Sequence, residues 1–321
     1  MTNNQLPITN IKTLVLILGP TGVGKTELAL RVAEHLGSPV ISCDSRQIFR
    51  EIPIGTAAPT PEEQARVRHY FIATRSVTEN YSAGQYERDA LQLLDTLFAD
   101  HDTLLMTGGS MLYADAVCNG LDDLPAVPEA IRLQVSERGR QPHGEGLRWL
   151  QNEVQRLDPD YWNIVDQQNP ARLAHCVELC LASGLPYSSL RSATRKERPF
   201  RIIKVALNRP REELYSRINA RVLQMLADGL EQEARTVYPL RSLPALQTVG
   251  FREMFAFFDG EYDLDRAVEL IQQNSRHYAK RQLTWFRRDK DIQWLDANHN
   301  HETNIRIIDN LLGACGVQEG N

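Results

Sequence analysis

The chain has 321 residues, 42% of them hydrophobic and 24% charged, with a formal net charge of −5. That length allows one large α/β domain with an insertion or two average domains, with ample material for a core. The negative total argues, as a global sum, against a nucleic-acid partner, and the longest aliphatic run, Leu14–Leu18, is far short of a membrane span.

In chain order, Met1–Asn10 is polar and lacks the basic region and apolar segment of a secretory signal. Thr13–Leu18 reads as a buried parallel strand ending at Gly19. Lys25–Leu36 has helical periodicity and stops at Gly37, a natural C-terminal residue. Pro39–Cys43 reads as a second strand and His69–Ala73 as a third. Ser82 with Gln85 forms a capping-box pattern that opens a helix to Phe98. Thr103–Thr107 is a further strand, closed by Gly108 and Gly109. From Leu121 to Pro199 the chain is helical and punctuated by prolines. Strand character returns at Arg201–Leu207. A helix from Glu212, a long helix over Leu264–Arg288, a strand at Ile292–Leu295 and an amphipathic tail follow. Strand–helix alternation predicts a parallel sheet with helices on both faces.

The five cysteines, Cys43, Cys118, Cys176, Cys180 and Cys315, are odd in number and include no CxxC pair. They point to a reducing cytoplasm rather than a disulfide framework. His175, Cys176 and Cys180 share a helical stretch, but no second ligand cluster completes a zinc site, so a core helix face is the preferred reading.

Gly19-Pro20-Thr21-Gly22-Val23-Gly24-Lys25-Thr26 fits G-x-x-x-x-G-K-[ST] at every fixed position. Glycines let the backbone curl so that successive N–H groups point at phosphate oxygens, and the following helix adds its positive end. Lys25 supplies a mobile charge, and the Thr26 hydroxyl can hold Mg²⁺. With the strand and helix around this loop, the expected architecture is α/β: a P-loop NTPase-like core from residues 1–121 and 200–321, with a helical domain inserted over 122–199. An ATP- or GTP-using enzyme would add an acidic residue at the end of an apolar strand. Thr103–Thr107 runs instead into Gly108-Gly109-Ser110, which weakens a motor-type NTPase. Asp44-Ser45-Arg46-Gln47 follows the second strand, where a doubly wound sheet faces its ligand crevice. Asp44 is thus expected across that crevice from the loop, as a functional carboxylate or as a helix cap.

These segments occur in order with Ile54–Pro59, Tyr81-Ser82-Ala83, Gly108–Tyr113, Val249–Arg252 and Ala279–Arg287. One phosphate loop is common; the ordered set is specific. From about residue 13 to residue 296 the chain resembles the bacterial tRNA dimethylallyltransferase family, also called tRNA isopentenyltransferases. The resemblance implies transfer of a dimethylallyl group from dimethylallyl diphosphate to N6 of adenine 37, beside the anticodon of tRNA, with release of diphosphate. It implies that Gly19, Thr21, Gly22, Val23, Gly24, Lys25 and Thr26 bind the isoprenoid diphosphate, with Mg²⁺ at Thr26 as the cofactor.

Roles carry over residue by residue. Asp44 matches the catalytic base, which the chemistry requires because the N6 lone pair is delocalised into the ring. Ser110 stands where the family usually has Thr and keeps a hydroxyl for the bridging oxygen. Arg217 matches the diphosphate-binding arginine, and positive groups are needed at the leaving oxygens as the allylic carbon turns cationic. The adenine must flip from the anticodon-loop stack. The resemblance implies tRNA contacts at Asp44, Ser45, Arg46, Gln47 and Ser110. It implies others at Arg132, Arg172, Gln247, Thr248, Val249, Gly250, Phe251 and Arg252. Phe251 is more often Tyr, so the ring remains as a contact without its hydroxyl. Ala58 replaces a usual Lys and His175 a usual Arg, removing two positive contacts.

Charge is uneven along the chain. Arg191–Arg221 has ten basic residues against three acidic ones, and Arg276–Lys290 six against one, interleaved with His277, Tyr278, Trp285 and Phe286. Basic and aromatic residues together suit an RNA loop and salt-dependent binding, although a solvated helix face over core aromatics has the same pattern. The expected partners are the tRNA anticodon stem-loop and dimethylallyl diphosphate. No membrane and no obligate protein partner are expected, and the protein is read as a cytoplasmic monomer. The rival readings are an adenylate isopentenyltransferase acting on free nucleotides, a P-loop small-molecule kinase, and a tRNA binder without catalysis. Lys25, Thr26 and Asp44 speak against the last.

Overall fold

The computed structural model describes residues 11–191 and 194–314, so Met1–Asn10 and Cys315 lie outside the described residues. The chain divides into two compact units, one of Met1–Asn119 with Arg198–Asn321 and one of Gly120–Glu197.

In the first unit six parallel strands lie side by side: β1 (Thr13–Leu18), β2 (Val40–Ser42), β3 (His69–Tyr70), β4 (Thr103–Thr107), β5 (Arg201–Asn208) and β6 (Ile292–Asp296). Their order across the sheet is β3-β2-β4-β1-β5-β6. The unbroken apolar run of β1 follows from burial on both faces. Leu14, Leu16 and Leu18 meet Tyr86, Ala90 and Leu94 of the helix Ala83–Leu97 on one face. Val15 and Ile17 meet Leu28, Ala29 and Val32 of the helix Lys25–Leu36 on the other, with Ile308 of the helix His301–Gly313. The period of two sends alternate side chains to separate cores. A third apolar cluster joins Ile48, Phe49 and Ile52 to Phe251, Met254 and Phe255.

Two expectations change at the boundaries. The third strand shrinks to His69–Tyr70, because Phe71 and Ala73 take φ of 61° and 51°, which turns the backbone out of the pleat. Short helices at Pro53–Thr56 and Pro61–Arg66 fill a stretch where none was expected.

Several basic residues tie this unit together. Arg198, with its side chain 8% exposed, pairs with Glu87 at 2.8 Å and donates to the Ala116 and Val117 carbonyls. Arg201 donates to the carbonyls of Leu311 and Leu312. The Lys204 ammonium sits 2.7 Å from Asp289.

The second unit packs the helices Glu129–Gly139, Glu145–Leu157 and Pro170–Ser183 around Val135, Leu150, Val154, Leu173, Cys176 and Val177. The Cys176 and Cys180 sulfurs lie 3.9 Å apart in that core. Buried Asp158 beside them accepts from Tyr161 N, Ser188 N and Ser188 Oγ, so its carboxylate caps one short helix and pins another, Tyr187–Leu190. Among the described residues no helix is long and apolar enough to cross a membrane.

Candidate functional site

The carboxyl ends of β2, β4, β1 and β5 are consecutive along one sheet edge, the edge at which a parallel sheet forms its ligand crevice. Each end runs into a polar segment: Asp44 after β2, Ser110 after β4, the phosphate loop after β1 and Arg209 after β5.

The loop curls tightly against its neighbours. Gly19, Gly22 and Gly24 have φ of 144°, 78° and 106°. A Cβ on Gly22 would stand 2.8 Å from Ile218 Cγ1, and one on Gly19 2.9 Å from the Leu207 carbonyl oxygen, so side chains are excluded twice over. The helix Lys25–Leu36 has no side-chain cap, which leaves its first amides for an anion. Lys25 Nζ donates to the Gly19 and Pro20 carbonyls at 2.9 and 3.0 Å. Burial, and then the cation of Arg221, push its pKa down to about 8, against the pull of Asp44.

Three arginines brace the loop. Arg217 Nε donates to the Gly22 carbonyl at 3.0 Å, and Arg221 Nη1 to Thr21 Oγ1 at 3.2 Å. They stand four apart on the helix Arg211–Ala227 and so share a face. Arg209 Nε donates to the Val23 carbonyl at 2.8 Å, while the rest of its guanidinium holds Glu213, Asn298 and the Ala297 carbonyl. Burial lowers the Arg221 pKa and Asp44 opposes that shift.

Asp44 meets the capping expectation. Its Oδ1 caps the turn by accepting from Arg46 N at 2.9 Å and Gln47 N at 3.3 Å. Its Oδ2 accepts no hydrogen bond among the described residues, which leaves an open carboxylate oxygen. Ser110 Oγ accepts from Ser45 N at 2.7 Å and donates to Ser45 Oγ at 2.9 Å, tying the turn after β4 to the Asp44 segment. The close approach requires Gly108, where a Cβ would stand 2.5 Å from the Cys43 carbonyl oxygen. Tyr113 and Tyr278 are both pushed up to about 12, first by burial, with Asp44 adding to the shift.

The other expected contacts fall in different settings. Arg46 Nη1 donates to the Ala245 carbonyl at 2.9 Å. The Gln47 amide is engaged at both ends, by Ser42 Oγ at 3.3 Å and the Ala57 carbonyl at 2.9 Å. Gln247 Nε2 donates to the Arg241 carbonyl, Arg252 N to the Thr248 carbonyl, and Gly250 N to Glu253. Val249 is half-buried and Arg252 exposed. Phe251 departs from its expectation. Its ring is 0% exposed and fills the space over Gly55, where a Cβ would come within 2.5 Å of it. It offers no aromatic face to RNA; it packs the turn. Arg132 and Arg172 are exposed on helices of the second unit.

Arg209, Arg221 and Gln282 were absent from the expected set. Arg221 carries a readable signal, its spacing of four from Arg217. Gln282 shares a buried helix face with Ala279 and Phe286, and a buried glutamine there requires partners. The Thr26 hydroxyl is exposed and makes no hydrogen bond among the described residues. That hydroxyl offers a divalent cation one protein ligand, and water and substrate phosphates would have to supply most of the others.

Comparison with known proteins gives a consistent result. Residues 47–289 match the family described as IPP transferase. The chain is 53% identical to tRNA dimethylallyltransferase 1 of Phocaeicola vulgatus, over 90% of this chain and 96% of that protein. It is 43% identical to tRNA dimethylallyltransferase of Christiangramia forsetii, over 93% and 98%. The crystal structure of the full-length tRNA isopentenylpyrophosphate transferase of Bacillus halodurans is similar at 31% identity and a TM-score of 0.68, covering 94% of this chain and 96% of that one. A eukaryotic dimethylallyltransferase crystallised in action on tRNA shares the fold, with a TM-score of 0.78 at 22% identity over 94% and 80%. The matched span, the high identity across nearly the whole length and the sheet-edge site agree: the chain belongs to the IPP transferase family.

Proposed function

We propose that this protein transfers the dimethylallyl group of dimethylallyl diphosphate to N6 of adenine 37 in tRNA, beside the anticodon. The carrying observation is an open carboxylate oxygen on Asp44 at the same sheet edge as a cradle of backbone amides backed by Lys25, Arg217 and Arg221. A small-molecule kinase can use the same cradle and a similar base, so the relatives separate the two readings. Relatives named tRNA dimethylallyltransferases support the identity of the two substrates.

In this reading the bond from N6 to the allylic C1 forms as the C1–O bond breaks. The electron pair of the broken bond leaves with diphosphate, and one N6 proton passes to Asp44 Oδ2. Gly19, Thr21, Gly22, Val23 and Gly24 shape the loop around the diphosphate. Lys25 and Arg217 hold the charge that develops on the leaving oxygens. Ser110, fixed by Ser45, faces the bridging oxygen. Thr26 would hold Mg²⁺, which supplies further charge neutralisation at the diphosphate when bound. The adenine comes from a single-stranded loop, where flipping is cheap. Ser45, Arg46, Gln47, the turn Gln247–Arg252 through its backbone and Arg252, and Arg132 and Arg172 of the inserted helical domain (122–199) contact the tRNA. The protein works as a cytoplasmic monomer.

The test incubates the pure protein with labelled dimethylallyl diphosphate, Mg²⁺ and tRNA bearing adenine at 36 and 37. Label is expected on tRNA; label on AMP instead overturns the reading. Asp44→Ala is expected to lower turnover by about 10²- to 10⁴-fold while binding of the allylic diphosphate persists. Turnover near wild type would remove Asp44 from the role of base.

A further inference from the structure

Gln282 is 1% exposed near the end of the helix Leu264–Phe286. Its amide is engaged at both ends. Oε1 accepts from Thr21 N at 2.9 Å, and Nε2 donates to the Gly109 carbonyl at 2.7 Å. Thr21 lies in the phosphate loop after β1, and Gly109 in the turn after β4. β1 and β4 are paired as far as Ile17 and Thr107, where Gly108 N still reaches the Ile17 carbonyl at 3.4 Å. Past that point the two chains separate to form the crevice, and the Gln282 amide stands between them as a peptide group would in a sheet. The fit is tight: a Cβ on Gly109 would come within 2.5 Å of Nε2. Ser110, the next residue, is the one tied to the Asp44 segment.

We infer that Gln282 is a positioning residue that holds the diphosphate loop and the Ser110 turn in register, so that the leaving group and the Asp44 side of the site keep a fixed separation. The inference rests on the reading of the site given above. Gln282 acts through two hydrogen bonds, the one to the Gly109 carbonyl buried and the one from Thr21 N partly buried, and losing the buried one leaves the Gly109 carbonyl without that donor.

Two variants test it. Gln282→Met keeps length and burial and removes both hydrogen bonds. Gln282→Glu keeps the acceptor for Thr21 N; protonated it also donates to the Gly109 carbonyl, and ionised it loses that donor. The Met variant is expected to bind inorganic diphosphate within about threefold of wild type and to lose kcat per folded molecule by about 10- to 100-fold, with KM for tRNA unmoved. The Glu variant is expected to gain an alkaline limb in its kcat–pH profile that wild type lacks. A side chain that only fills the core would lower Tm and leave kcat per folded molecule and the pH profile alone, and that outcome overturns the inference. Hydrogen exchange gives a readout independent of turnover. Inorganic diphosphate should slow amide exchange across residues 108–110 in wild type and not in the Met variant; equal protection in both overturns the coupling. Wild-type turnover on tRNA is measured alongside, so failure of the functional reading is seen separately.

Discussion

The two basic segments look alike in sequence and differ in the fold. In Arg191–Arg221, Arg198, Arg201, Lys204, Arg209, Arg217 and Arg221 all reach protein carbonyls, carboxylates or hydroxyls. In Arg276–Lys290, Lys280, Arg281, Arg287, Arg288 and Lys290 are exposed. Most of the first segment holds the unit and the phosphate loop together; the second, apart from Arg276, which donates to Asn219 Oδ1, exposes its cations. A count of cations therefore fixes how many exist, and only the fold decides which remain open to a phosphate backbone. Lys25 is a third kind, a half-buried cation resting on two carbonyls.

The largest effect tests the pinned class. Arg198→Ala removes a buried guanidinium that pairs with Glu87 and holds the Ala116 and Val117 carbonyls, and is expected to cost about 3–5 kcal/mol of folding stability, read by denaturant unfolding. Diphosphate affinity of the folded fraction should stay unchanged; a loss under 1 kcal/mol would erase the contrast with the open segment. Next, replacing Lys280, Arg281, Arg287 and Arg288 together by Ala should weaken tRNA binding by about 10- to 100-fold. It should also flatten the salt dependence, by about 0.7 in log–log slope for each phosphate no longer neutralised. Tm should barely move. An unchanged slope would place the RNA surface elsewhere.

Lys25 yields a pH test of smaller size. Its folded pKa of about 8 lies below its ordinary value of 10.5, so the unfolded chain binds more protons between those values. The cost of burying the charge is fully present below pH 8 and fades as pH rises through that window. A bound diphosphate favours the charged form, so affinity for the allylic diphosphate should fall about tenfold by pH 9. Calorimetry checks this, with Lys25→Met as the control that removes the dependence; a flat profile in wild type sinks it. Smallest of all, Arg266→Ala breaks an exposed pair with Glu269, 2.7 Å apart with side chains 55% and 65% exposed. It should change stability by less than about 0.5 kcal/mol.

What could be read from sequence had local causes. The phosphate loop is specified by glycines that the backbone itself demands, and β1 by an apolar run buried on two faces. Ser82 and Gln85 form the expected reciprocal cap. Thr60 and Glu63 form another, so the helix Pro61–Arg66 carried a legible signal of its own. Arg221's spacing from Arg217 places the two on one helix face, but Gln282 and Arg221 stand 261 and 200 residues from the Thr21 they meet, and no local pattern encodes that meeting itself. Phe251 illustrates the same limit. Its ring was expected to face RNA, and the decision was made by Gly55, nearly two hundred residues earlier in the chain.

The edge of the sheet at β3 bears on solution behaviour. Only His69 and Tyr70 pair there, the backbone turns away at Phe71, and the Arg68 guanidinium lies 4.7 Å from the centre of the Tyr70 ring. An edge strand seeds unwanted polymerisation by offering a row of open amides and carbonyls, and short, charged edges blunt that tendency. On this side a neighbouring molecule finds two residues and a cation, too little to template a β-ribbon.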